Sequence, residues 1–450
     1  MNKQILLCVM LLASISLRAQ YKLDTLHYAG DSKFYIDIVY LGDGFTEDEQ
    51  NLFIDFVKRQ NDQFFDKTPW QQYKEMFNVF YVKTASNVSG AGMTPDEPID
   101  NFFGVCFGTS GVDRMPWPTK WDKVYEVLND VKPDYDMVPI VVNSTKYGGG
   151  GGGSFICFSM DNSSIETLRH ESGHALGGLA DEYWYKGREA ANMTQNINPV
   201  KWERWIGENE VGTYRYSDKE NEEAYSWYRP HQNCQMRYLN REYCPVCSEA
   251  LIEKIHEHSK NLISYAPEEK TINMESEAVT FSLNLLKPTP NTLRVDWFLD
   301  EQQVAHNQDQ LTLRSGSLSD GNHDLLVIIE DTTLLVRTEN HTTIHATTVR
   351  WSMNAYTSLG ISIETLSTSN SDYRVGPLPF EAVLTFSNKH PQQIETRLDL
   401  FNTAGVLMTS QTFSDDTSCS LNTARLPSAM YLLCVYQSNK LVYKQKILKR

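Results

Sequence analysis

The sequence predicts a multidomain chain, with a mixed α/β domain over residues 20–265 followed by two all-β sandwiches of immunoglobulin-like size at 270–355 and 362–450. Three observations lead there. At 450 residues the chain exceeds what one ordinary hydrophobic core supports. Its first 260 residues mix helical and strand periodicities, as a domain built around one α/β core does. Beyond residue 270 only short strand-like runs separated by turn residues remain.

Composition narrows the class. Hydrophobic residues make up 41% and charged residues 22%, which is globular rather than disordered. The 57 acidic against 41 basic side chains give a net charge of -16, which opposes nonspecific binding to nucleic acid or anionic membrane. The first nineteen residues read as a removable export signal: Lys3 is the positive start, Ile5 to Ile15 the apolar run, and Leu17-Arg18-Ala19 precedes the cut. Cys8 is a poor lipoprotein cysteine because bulky Leu7 precedes it. The apolar run is too short to span a bilayer, so an exported protein is expected, periplasmic, surface-held or extracellular, without a transmembrane helix.

The elements follow in chain order. Phe34 to Leu41 alternates as a strand into the turn Gly42-Asp43-Gly44. Thr46 and Glu49 have capping-box spacing, and the helix after them carries Leu52, Phe53, Phe56 and Val57 at helical intervals. Phe77 to Val82 and Met137 to Val142 read as further strands. The run Gly148 to Gly153 lacks the Gly-Lys-Ser/Thr of a phosphate loop, so it reads either as a flexible rim beside an edge strand that pairs with an extended peptide, or as a plain mobile loop. Ser154 to Ser159 is the strand candidate it precedes. Ser163 and Glu166 repeat the capping-box spacing, Ile165, Leu168, Ala175 and Leu176 supply an apolar face, and Gly177 is the expected left-handed stop of that helix.

This helix carries His170-Glu171-Ser172-Gly173-His174. Residues four apart share a helix face, so His170 and His174 can point two imidazoles at one metal ion with Glu171 beside it. A turn after Gly177 can return Asp181 or Glu182 as a third ligand. A chance H-E-x-x-H string would be a solvated helix face, but the capped helix, the glycine stop and the acidic pair argue against chance.

Seven cysteines follow Cys8, an odd number for an oxidising compartment. Cys234, Cys244 and Cys247 cluster, and with His231 they have the spacing of a second, structural zinc site. A disulfide between Cys234 and one of the other two is the favoured reading, with the pairing open.

In the tail, Val279 to Leu283, Leu293 to Phe298 and Leu325 to Ile329 read as strands, with Asp320-Gly321-Asn322 as a turn. A second β-unit from about residue 362 includes Ala429 to Tyr436 and a basic terminus from Lys444 to Arg450. Neither β-unit offers a catalytic constellation.

The span His170 to Tyr183 resembles the igalysins, a metzincin-like family of secreted zinc peptidases. The resemblance rests on Gly178-Leu179-Ala180-Asp181-Glu182-Tyr183, on Leu41-Gly42-Asp43-Gly44-Phe45, and on Cys234-Gln235-Met236 with Cys244-Pro245-Val246-Cys247 beyond it. It covers roughly residues 30 to 260 and implies a metzincin-like fold, with one catalytic Zn2+ held by His170, His174 and Asp181. The broader metzincin pattern places the third ligand at Ala180, which has no donor atom; the resemblance passes that role to Asp181, with Glu182 as rival. Met236 matches the methionine under the metal and Tyr238 a tyrosine that swings toward it, while a core methionine and a structural tyrosine are the plain alternatives. The last eighty residues resemble a type IX secretion sorting domain through Leu426 to Tyr431 and Lys444 to Arg450, the alternative being a terminal sandwich that only spaces or stabilises.

The expected function is a secreted zinc endopeptidase with Glu171 as general base and Tyr238 assisting the oxyanion, immunoglobulin A or another host glycoprotein being a candidate substrate. The rival expectation is a surface-binding protein whose β-domains grip a host glycoprotein or glycan around a structural metal. Three donors beside a well-placed glutamate favour the enzyme, since structural zinc sites close with four protein ligands.

Overall fold

The computed structural model describes residues 20–274, 278–355, 373–388, 395–414, 418–438 and 440–450. The expected export signal and the expected start of the last sandwich lie outside them. Residues up to 357 form one unit and residues from 358 a second.

The first unit opens with β1 (Leu23–His27), β2 (Ile36–Asp43), α1 (Gln50–Phe64), α2 (Trp70–Tyr73) and β3 (Phe77–Val82). It continues with α3 (Trp121–Val131), β4 (Val138–Val142), β5 (Gly149–Gly152), β6 (Phe155–Ser159) and α4 (Ser164–Ala175). The sheet runs β1-β3-β2-β4-β6-β5. β2 is parallel to β3 and β4, and β4 to β6, while β5 returns antiparallel on the edge. Every residue of β2, β4 and β6 is buried, which explains why their sequences are apolar runs rather than clean alternations.

Two cores flank the sheet. One includes Ile36, Ile38, Phe53, Phe56, Trp70 and Leu168 beneath α1 and α4; the other includes Val39, Leu41, Val124, Leu128 and Ile140 beneath α3. On α1 the expected Phe53, Phe56 and Val57 are buried, whereas Leu52 is 44% exposed and points to solvent. The capping box before α1 is present, with the Thr46 N–H donating to Glu49 Oε2 at 2.9 Å.

The structure corrects three expectations around the motif helix. Ser163 precedes α4 without a side-chain cap; the Asp161 carboxylate accepts from the Ser163 N–H instead, at 2.6 Å, and Glu166 turns to Arg169. Gly177 does not hold the left-handed turn. Gly178 does, at φ 61°, and Gly177 is needed because a Cβ there would stand 2.7 Å from the Gly173 carbonyl oxygen. The glycine run is not a rim beside the edge strand, because Gly149–Gly152 is itself that strand.

Short strands β7 (Tyr214–Arg215) and β8 (Tyr228–Arg229) pair before α5 (Pro245–His258). β9 (Leu262–Ala266), ahead of the expected start at 270, already pairs with the sandwich strand β11. That sandwich adds β10 (Thr271–Asn273), β11 (Ala278–Leu285), β12 (Leu293–Leu299), β13 (Gln302–His306), β14 (Gln310–Arg314), β15 (Gly321–Asp331), the one-turn α6 (His341–Ile344) and β16 (Thr347–Ala355). Its sheets, β10-β16-β15-β12-β13 and β14-β11-β9, close over Phe281, Trp297 and Trp351.

The sandwich is fused to the α/β region rather than tethered to it. Leu286 and Val336 belong to the same core as Ile36 and Trp70. Fully buried Asp331 accepts from Tyr73 Oη at 2.7 Å and sits 3.0 Å from His256 Nε2 on α5. Glu253, also on α5, meets His341 at 3.0 Å and His345 at 2.6 Å.

In the second unit, β17 (Tyr373–Gly376), β18 (Val383–Asn388), β19 (Thr396–Asn402), β20 (Leu407–Phe413), β21 (Ser418–Asn422), β22 (Met430–Gln437) and β23 (Lys440–Leu448) form sheets β17-β18-β21 and β20-β19-β22-β23 around Leu398, Leu400 and Leu433. The basic terminus is largely a strand, with Lys444 paired to Cys434. No helix among the described residues is long and apolar enough to cross a membrane.

Candidate metal centre

α4 packs against β5, β6 and α1. From it the two imidazoles converge, with ring centroids 4.9 Å apart. His170 Nδ1 lies 3.0 Å from the Gln235 carbonyl oxygen and His174 Nδ1 lies 2.7 Å from that of Leu179. A carbonyl only accepts, so each Nδ1 carries the proton and each Nε2 presents a lone pair. Asp181 Oδ1 stands 3.1 Å from both Nε2 atoms. The three donor atoms are thus spaced as neighbouring ligands of one small divalent ion, and the set suits zinc.

Asp181 reaches this point because its backbone is pinned on every side. The Ala180 N–H donates to Asn192 Oδ1 and Asn192 Nδ2 donates back to the Ala180 carbonyl, both at 2.8 Å. Tyr216 Oη donates to the Asp181 carbonyl at 2.7 Å, and the Glu182 N–H to that of Met236 at 2.7 Å. Glu182 therefore faces the opposite way, fully buried against the cysteine cluster. Of the two candidate third ligands, Asp181 is the one beside the histidines.

Glu171 is 9% exposed and faces the glycine strand so closely that a Cβ at Gly151 would meet its Oε2 at 2.7 Å. Burial pushes its carboxyl up from the ordinary value, with the two histidines pulling the other way. Met236 is fully buried under α4, its sulfur where a Cβ on Gly173 would need to be, 2.5 Å away. That contact explains the glycine inside the motif. Tyr238 is not brought to the cleft: it is 49% exposed under the Arg237 guanidinium, and the cleft takes its wall from Arg237 and Leu239 on either side. Tyr183 and Arg114, which the sequence reading passed over, line the cleft instead. Tyr183 stacks on His170 at 6.2 Å and 12°. It was within view as the last residue of the Asp-Glu-Tyr run; Arg114 carried no signal in its surroundings.

Among the described residues no disulfide links the seven buried cysteines. Cys234, Cys244 and Cys247 do come together, but His231 does not join them, since its Nδ1 accepts from the Asn233 N–H at 2.9 Å and its Nε2 lies 3.1 Å from the Asn209 carbonyl oxygen.

Three clustered donors, a buried carboxylate one residue along and an open cleft are the parts of a metal-assisted hydrolytic site. Residues 25–207 match the family described as IgA Peptidase M64, so this stretch is similar to a family of peptidases. The matched span holds the motif helix, Asp181 and Tyr183 and ends before Met236 and the cysteine trio. No curated protein matches the chain. Among solved structures, latent PorU from Porphyromonas gingivalis is similar at 10% identity and TM-score 0.16, over 42% of this chain and 20% of its own. The fibronectin(III)-like modules of Clostridium thermocellum CbhA are similar at 13% identity and TM-score 0.15, over 21% and 95%. A two-domain fibronectin type-III segment of chicken tenascin is similar at 14% identity and TM-score 0.17, over 42% and 97%. The chain spans about a fifth of the PorU chain.

Proposed function

We propose that the protein is an exported zinc endopeptidase, a reading that rests above all on the convergence of His170 Nε2, His174 Nε2 and Asp181 Oδ1 beside buried Glu171. Zinc held by these three residues would supply a Lewis acid that polarises a carbonyl and makes water acidic near neutral pH. The chain's own groups do the rest. Glu171 takes the proton of the attacking water and delivers it to the leaving amine nitrogen, work for which a raised carboxyl pKa is suited. The outer edge of β5 offers main-chain N–H and C=O groups to an extended peptide, and its lack of side chains leaves room for the peptide against Glu171. Tyr183, stacked on His170 and lining the cleft, takes over from Tyr238 the role of assisting the developing oxyanion.

A protein or peptide substrate follows from this reading, and immunoglobulin A is the first candidate that the family name suggests. The experiment is cleavage of a diverse peptide library by the purified protein, with and without chelator, beside the Glu171→Gln variant. Chelation should abolish cleavage. Glu171→Gln should keep its metal and lose activity by on the order of 10²–10⁴-fold; near wild-type turnover by a metal-loaded variant would refute the general base.

A further inference from the structure

We propose that Cys234, Cys244, Cys247 and Glu182 form a second, structural zinc site, distinct from the histidine centre. All four are at most 3% exposed, and their ligand atoms lie within 4.8 Å of one another. The separations fit a tetrahedron rather than a disulfide. Two thiolates on one zinc, each about 2.3 Å from it, stand about 3.8 Å apart, whereas bonded sulfurs stand about 2.05 Å apart. Cys234 Sγ and Cys247 Sγ are 3.7 Å apart. A sulfur and a carboxylate oxygen on the same ion should be about 3.5 Å apart by the same geometry. Glu182 Oε1 is 3.2 Å from Cys247 Sγ and 3.9 Å from Cys244 Sγ.

A second observation is independent of these distances. Among the described residues, Glu182 Oε2 is buried without a hydrogen-bond partner, and its other oxygen accepts from Asn192 Nδ2 at 3.3 Å besides meeting the thiols. Among the described residues no cation makes an ion pair with this carboxyl, Arg229 acting on it only through space, and burying a charged group so weakly paired is costly. A divalent ion would bind the carboxylate and the three sulfurs together, the thiol protons leaving to solvent, with a net charge of about -2 of the kind that all-thiolate zinc sites carry. The surroundings suit thiolates as well. Cys244 caps the 14-residue helix α5, Cys247 lies in its first turn, and the Cys244 N–H donates to Cys234 Sγ at 3.3 Å. Hydrogen bonding explains why Glu182 and not His231 completes the set: His231 has both ring nitrogens engaged elsewhere.

The site has a purpose that its position states. Glu182 follows Asp181 directly, Cys234 stands two residues before Met236, and the Glu182 N–H donates to the Met236 carbonyl. An ion here ties the segment that delivers the third histidine-centre ligand to the segment beneath the motif helix.

The test uses the full-length protein purified without chelator. Wild type should carry two zinc ions per chain by elemental analysis, and the His170→Ala/His174→Ala double variant one. Stripped and reloaded with Co2+ alone, that double variant should show a strong thiolate-to-cobalt charge-transfer band in the near ultraviolet, which a nitrogen and oxygen site cannot give. His231→Ala should keep the second ion and Glu182→Gln should bind it less tightly. A metal-free double variant, or a disulfide among the three cysteines in non-reducing peptide mapping, would overturn the proposal. The metal count and the cobalt band are read without any activity, so they stand or fall apart from the peptidase reading.

Discussion

Asp181 and Glu182 are neighbours of the same chemistry aimed at different targets, and nothing in their own sequence distinguishes them. His170, Glu171 and His174 were legible because a helix has a period that fixes which residues share a face. A loop has none. The choice is made by Asn192, Tyr216 and the cysteines, contacts that only folding reveals. Asp181→Asn should therefore lower the chelator concentration that halves activity far more than Glu182→Gln does, since an amide is the poorer zinc donor. The reverse ranking would return the third-ligand role to Glu182. Tyr238 and Tyr183 teach the same lesson, because a motif offset indicated the first while ring stacking on His170 puts the second in the cleft.

At the scale of elements, α4 is recognisable from its apolar face and motif and begins, as expected, directly after Ser163, though without the capping box that the spacing predicts. Capping-box spacing occurs twice, and only Thr46 with Glu49 makes the box; at Ser163 the preceding Asp161 takes the donor first. Thr46→Ala should lower stability by about 1 kcal/mol in thermal or denaturant unfolding, and Ser163→Ala by much less. Strand β5 was hidden for a different reason, since glycine is among the poorest strand formers. Its residues are glycine because of what faces them: a Cβ on Gly149 would meet the Thr167 methyl at 2.2 Å, and one on Gly150 the Met115 methyl at 2.8 Å. Gly151→Ala presses on Glu171 Oε2, so kcat should fall while far-ultraviolet circular dichroism and metal content hold. An unchanged kcat would show that the carboxylate has room to move.

For the whole molecule, sequence texture separated α/β from all-β regions but could not show that the first sandwich is fused to the region before it. The junction joins a few apolar residues, Leu286 and Val336, to buried polar contacts of Asp331 and Glu253, and no periodicity announces it. Ending the chain near Ile263 would strip Asp331 from Tyr73 and His256 and remove Leu286 and Val336 from a shared core, so that truncation should be unfolded or unstable. Ending it near Thr357 should preserve short-peptide cleavage, because the second unit contributes none of the groups at the metal centre. Activity in the shorter product would show that the junction is dispensable. The same junction has a pH signature. Burial would raise Glu253, but the hydrogen bonds of His341 and His345 bring it down to about 2. Its stabilisation is complete above the ordinary glutamate range and disappears as pH falls toward 2; Asp331, lowered by His256, Thr292 and Tyr73 against its own burial, has the same sign. Intrinsic tryptophan fluorescence should therefore report acid unfolding, and His345→Asn should move its midpoint to higher pH. The junction also sets an order of events during synthesis. The histidine centre is complete in sequence once residue 181 has been made, yet the core beneath it waits for Leu286, Asp331 and Val336, more than a hundred residues later. Chains halted before residue 337 should thus be digested readily by an added protease, and the proposed peptidase, gaining its rigidity so late, would be spared from acting on its own unfinished copies.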